Sequence, residues 1–103
     1  MARIIRVDES TARQRLADVP DEKRFWVTDG RVLRNLKELA SALRSMSDEV
    51  YTFHAGDSRN DFSNWVRDVI GDNKLSNDLV KSNSPAKAAK AVEERVAWLE
   101  QKL

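Results

Sequence analysis

A chain of 103 residues holds one domain and leaves little room for a second, and with 41% hydrophobic and 34% charged residues it lies on the globular side of the disorder boundary. Eighteen Lys and Arg against seventeen Asp and Glu give a net charge of +1 with no basic or acidic block, which argues against a general nucleic-acid coating protein and leaves room only for a local patch. The absence of cysteine excludes disulfides, thiolate metal sites and thiol catalysis; no apolar run approaches the ~20 residues that span a bilayer, and the N-terminus MARIIRVDEST lacks the apolar stretch of a secretory signal, so the cytoplasm is the expected location and no membrane partner is expected.

In chain order, Arg3 to Val7 is a short apolar-rich run that reads as a strand or an unstructured lead-in. Asp8, Glu9 and Ser10 then offer a cap and first-turn acids to a short helix with Ala12, Leu16 and Val19 loosely periodic, interrupted at Pro20. The PDEK segment at 20–23 reads as a turn, and Phe25, Trp26 and Val27 as a strand that stops at Asp29-Gly30. From Val32 the spacing of Val32, Leu33, Leu36, Leu39, Ala40 and Leu43 predicts a helix, broken at Ser47-Asp48. Val50 to Phe53 reads as a second strand, able to pair with Phe25 to Val27 as a two-stranded ribbon.

After a loop at Ala55 to Arg59, Asn60 or Asp61 caps a helix with Phe62, Trp65, Val66, Val69 and Ile70 on one face, ended by Gly71. Asp72 or Asn73 starts a short helix with Leu75, Leu79 and Val80 inward. Ser84 and Pro85 then restart the chain as cap and first helical residue. The last helix runs to the end on a stripe of Val92, Val96, Leu99 and Leu103, widened by Ala88, Ala91 and Trp98. The expected fold is therefore mainly α: a single small helical domain of about four to five helices with a short two-stranded β-ribbon. Residues 1–24 form an N-terminal segment with a short helix, and residues 25–103 form the helical domain.

The order F-W-V-T-D-G, N-L-K-E-L-A-S-A-L, M-S-D-E-V-Y-T-F-H and N-D-F-S-N-W-V-R-D-V-I-G-D followed by L-S-N-D-L resembles a small prokaryotic domain family, frequent in archaea, that has no established activity. The resemblance covers roughly residues 25–98 and is most specific from His54 through Asp72. It implies a fold-level unit found alone or attached to other proteins, consistent with an accessory or interaction domain, and supplies no catalytic residues. The first 24 residues fall outside it.

The densest polar cluster lies between Tyr51 and Leu79, which holds the only histidine. His54 has Asp57 and Asp61 three and seven residues on, types that build a metal site or a base with its orienting carboxylate. Without a second His, a Cys or a recognisable nucleophile, His54 reads as a structural residue that hydrogen-bonds near the loop. A calcium loop beginning at Asp57 fails, because its third position is Arg59 and its sixth, where glycine is required, is Phe62. Asp29-Gly30 and Gly71-Asp72 read as turn devices. Trp65 is expected in the core, whereas Trp26 beside Arg24 and Trp98 at the edge of its stripe are expected to be partly exposed and able to anchor a partner.

The function these patterns predict is a non-enzymatic protein-interaction or accessory module without cofactor or metal. Its partner-binding residues are expected among Trp26, Arg24, His54, Asn60, Asp61, Asn64, Asp68 and Trp98. The second reading is an RNA- or DNA-associated protein using the arginines of its N-terminal half (Arg3, Arg6, Arg13, Arg15, Arg24, Arg31, Arg34). The third is a metal-binding or hydrolytic protein centred on His54.

Overall fold

Local capping signals set nearly every helix boundary in this chain. The structure, a computed structural model, describes residues 7–103, so the part of the Arg3 to Val7 expectation that falls on residues 3–6 lies outside the described residues. Among these residues are six α-helices and one two-stranded antiparallel ribbon. The first helix, α1 (Glu9–Leu16), is capped by Asp8, whose carboxylate accepts from the Thr11 N–H at 2.8 Å. A 3₁₀ turn (Asp21–Lys23) leads to β1 (Phe25–Trp26) and β2 (Val32–Leu33), paired Phe25 to Leu33 and Trp26 to Val32. The three-residue loop between Val27 and Arg31 ends on Gly30 at φ 99°, the left-handed position such a hairpin loop requires.

The ribbon corrects two expectations. Val32 and Leu33 were expected to open the helix, but α2 (Leu36–Ser45) starts four residues after Val32, because the Asn35 side chain caps it by accepting from the Glu38 N–H at 2.8 Å. The Glu38 carboxylate in turn accepts from the Arg34 N–H at 2.7 Å, so the chain before Asn35 is held extended and is left to pair with Phe25. Nor is Val50 to Phe53 a strand: it lies in α3 (Asp48–His54). Ser47 caps that helix through the Val50 N–H at 3.2 Å, Asp48 and Glu49 favour its positive N-terminal end, and Tyr51 and His54 fall on one buried face at helical spacing. Together these outweigh the β-favouring side chains.

The helix α4 (Asp61–Trp65), capped by Asn60 through the Ser63 N–H, continues into a π-helical turn (Val66–Ile70). Gly71, at φ 86°, closes it by donating its N–H to the Val66 carbonyl at 2.8 Å, and Asp72 caps α5 (Asn73–Lys81). Ser84 and Pro85 then start α6 (Pro85–Glu100) as cap and first helical residue.

The central element is α6: α2, α5 and α1 all pack on it. Ala88, Ala89, Val92, Val96 and Leu99 of α6 share one core with Leu36, Leu39 and Leu43 of α2, Phe62 and Val66, and Leu75 and Leu79 of α5. Ala12 of α1 belongs to the same core with no exposed surface. Small residues bring α4 and α5 into close approach. Buried Ser63 and Ser76 have one hydroxyl proton each and donate reciprocally to the other's backbone carbonyl, at 2.9 and 3.0 Å. Trp65, as expected, is buried, and its indole N–H donates to the Lys23 carbonyl at 2.8 Å, anchoring the chain just before β1.

Among the described residues one carboxylate lies wholly inside. Asp72 has no exposed surface; its Oδ1 accepts from the Leu75 N–H at 3.0 Å and from Arg95 Nη2 at 3.1 Å, and its Oδ2 from Arg95 Nε at 2.7 Å. Arg15 of α1 brings a second guanidinium to 3.9 Å. The carboxylate thus joins α1, α5 and α6. At the surface α2 and α6 are tied by the Arg44–Glu93 and Lys37–Glu100 pairs, which are worth little beside it. No helix among the described residues is long and apolar enough to cross a membrane.

The left-handed backbone at Gly71 predicts that Gly71→Ala lowers stability although nothing lies within 4 Å of the added methyl group. Equilibrium urea unfolding is expected to show a loss of about 1–2 kcal/mol, from backbone conformation alone.

Candidate functional site

His54 ends α3 and is buried against the edges and faces of Phe25, Phe53 and Phe62, with ring centroids 5.0–5.3 Å away. Its Nε2 lies 3.1 Å from the Thr28 N–H, which can only donate, so Nε2 accepts and Nδ1 carries the proton it donates to Asp61 Oδ2 at 3.0 Å. The imidazole therefore stitches α3 to the ribbon turn on one side and to the start of α4 on the other. Asp61, and not Asp57, is its carboxylate partner, and Asp61 also pairs with Arg59 Nε at 2.9 Å. Both ring nitrogens are spent on the fold, so a metal ion or a substrate proton would have to displace one of these bonds. No group of three or more metal-competent side chains occurs among the described residues.

Asn60 is committed in the same way. Its side-chain oxygen caps α4, and its amide donates to the Leu79 carbonyl at 3.2 Å, tying the start of α4 to the end of α5. Asn64, one turn on, is exposed, and Asp68 is exposed and paired with Arg67 at 2.9 Å; that hydrogen bond holds the Asp68 carboxyl below the usual carboxylate range. Asn60, Asn64 and Arg67 form one wall of a cleft of about 730 Å³. Loop residues 55–59, Val80 at the end of α5 and Ser82 and Asn83 after it form the others, and buried Tyr51 also lines it.

The two tryptophans expected at the surface are there, in separate places. Trp26 is 69% exposed on the outer face of the ribbon, beside its cross-strand partner Val32; Phe25, Val27 and Leu33 turn inward. Val32 borders a groove of about 230 Å³ that continues over Glu38, Ser41 and Ala42 of α2. Arg24, preceding the ribbon, is half-buried and pairs with Asp21 at 2.7 Å. Trp98 is half-buried on α6, with the Arg95 guanidinium 4.3 Å and the Lys102 ammonium 4.4 Å from its ring centre, and lines a different cleft between α5 and α6.

The eight residues singled out from the sequence thus fall into three regions. Asn60 and Asn64 line the loop cleft, with the bonded His54 and Asp61 next to Asn60 at the start of α4 and exposed Asp68 one turn further along the chain from Asn64; Trp26 and Arg24 lie at the ribbon, and Trp98 in the α5–α6 groove. Phe53, 59% exposed at the end of α3, carries no signal in the sequence, because the β-favouring Val50 to Phe53 run reads as a strand and a strand has no outer helix face. The geometry defines a small helical domain with one outward aromatic ribbon and, among the described residues, the three surface grooves named above. Compared with known proteins, the chain matches no family model, no curated protein and no solved structure.

Tyr51, the only tyrosine, reports on the loop cleft. Burial raises its phenol above the ordinary value of 10.0, and its hydroxyl donates to the Ser82 carbonyl at 3.1 Å. A folded-state value raised above the unfolded one means stability that is full below the unfolded value and lost as pH rises through the folded one. Tyrosinate absorbance of the native protein is expected to titrate above 10.0, and the melting temperature to fall through that same alkaline window.

Proposed function

We propose that this chain is a non-enzymatic accessory domain that docks on a protein partner through the outer face of its ribbon, with Trp26 as the anchor. One observation carries this reading: an indole 69% exposed on a strand whose inward neighbours already supply the core contacts. The fold has no use for it there, and large aromatics beside a groove are what dominate binding energy at interfaces. The groove bordered by Val32 and Ala42 gives a partner side chain somewhere to sit. A cytoplasmic setting is part of the proposal.

The other two readings have less under them. Every described arginine of the first half is paired with a carboxylate of its own chain: Arg13 with Glu9, Arg15 with Asp72, Arg24 with Asp21, Arg31 with Asp29, Arg34 with Glu38 and Arg44 with Glu93. A phosphate backbone would have to compete with each of those pairs. A centre on His54 would have to break the hydrogen bonds that hold α3 to the ribbon turn and to α4.

Affinity capture from the native lysate, after nuclease treatment, tests the proposal with wild-type protein beside Trp26→Ala. A discrete protein set retained by the wild type and lost by the variant is expected, with the variant's stability within about 0.5 kcal/mol, as for an exposed substitution. Retention of the same set by Trp26→Ala, or loss of every partner on nuclease treatment, would overturn it.

A further inference from the structure

The groove between α5 and α6 is unlike the rest of the surface. Its volume is about 600 Å³, and it is lined by four cations, Lys74, Lys87, Lys90 and Arg95, against two carboxylates, Asp78 and Glu94, with half-buried Ala91 and Trp98 as its apolar floor. Some of that charge is already spent: Arg95 is held by buried Asp72, and Lys74 by Asp78 one turn along α5. The remainder is available. Lys87 has no carboxylate within 4.0 Å among the described residues, and Lys90 meets Glu94 only at 3.9 Å, with both side chains about 70% exposed. Lys102, which likewise has no carboxylate partner there, sits over the Trp98 ring at the other end.

These positions form one stripe. On α6, Lys87, Lys90, Ala91, Glu94 and Trp98 recur at helical spacing, so Lys87 and Trp98 stand roughly 16 Å apart at 1.5 Å per residue. About five residues of extended chain cover that distance at ~3.3 Å each. We propose that this groove binds a short acidic peptide segment of a partner protein, its carboxylates at Lys87 and Lys90, its chain passing over Ala91, and an apolar side chain about five residues from the Lys87 end against Trp98.

Charge complementarity selects a peptide over a nucleic acid. Asp78 and Glu94 stand among the lysines, and a uniformly charged phosphate chain would be repelled by both, whereas a peptide can set neutral residues opposite them.

The test uses the full chain and three fluorescein-labelled probes: a peptide with a run of glutamates, a short glycine spacer and a leucine-phenylalanine end; the same peptide with lysines for glutamates; and oligothymidylate. Saturable binding of the acidic peptide alone is expected, with NMR shifts centred on the Ala91 amide and the Trp98 indole. Lys87→Glu with Lys90→Glu should weaken it by at least about tenfold without lowering the melting temperature, since both side chains are exposed. Trp26→Ala should leave it unchanged, which separates this groove from the ribbon face. No saturable binding, shifts on another face, indifference to the charge reversals, or tighter binding of oligothymidylate in the groove would each overturn the proposal.

Discussion

A carboxylate with no exposed surface is the constraint around which this small fold is arranged. Removing Asp72 from water costs several kcal/mol unless its lone pairs are met, and a domain of this size has only about 5–15 kcal/mol of stability in all. Three charge-assisted or backbone hydrogen bonds and a second guanidinium meet them. Those donors come from different elements. The α5 backbone, Arg95 of α6 and Arg15 of α1 can converge on Asp72 only in one mutual orientation, so the ion pair selects a packing that greasy side chains alone would leave adjustable.

The approach to Asp72 explains the irregular backbone before it. The π-helical turn from Val66 to Ile70 and left-handed Gly71 swing the chain out of the α4 axis, so that the next residue enters the interior as a helix cap. Beside this turn, the Ser63–Ser76 pair keeps α4 against α5 without a bulky side chain between them. His54 does for the other end of the domain what Asp72 does here, binding the ribbon turn and α4 to α3. With these residues committed to the interior, Trp26, Phe53 and Val80 are among the large side chains left exposed, and the lysines along α6 remain at the surface.

Much of this was legible in the sequence where the signal was local. Asn60, Asp72, Ser84 with Pro85, and Gly71 announce helix ends because a cap or a left-handed glycine acts within three residues of itself. The burial of Trp65 followed from helix periodicity and the exposure of Trp26 from its place beside Arg24, both local patterns. Val50 to Phe53 misled because Val, Tyr, Thr and Phe favour strands, while the decisive Ser47 cap and the buried Tyr51/His54 face depend on what α3 packs against. With Val50 to Phe53 read as a strand, Val32 and Leu33, the true partner strand, read as the start of a helix. The Asp72–Arg95 pair spans 23 residues, and nothing in either local pattern distinguishes it from the surface pairs around it. For the same reason the α5–α6 groove, made by two helices meeting on this pair, had no signature in one dimension.

The most direct measurement is equilibrium urea unfolding of Arg95→Met, Asp72→Asn and the double variant. If the buried pair organises the packing, Arg95→Met alone should cost about 3–5 kcal/mol by leaving the Asp72 carboxylate without its main partner, and the double variant should cost clearly less than the two single changes added together. A loss under about 1 kcal/mol for Arg95→Met, or simple additivity of the two changes, would place Asp72–Arg95 with ordinary surface ion pairs and contradict the account.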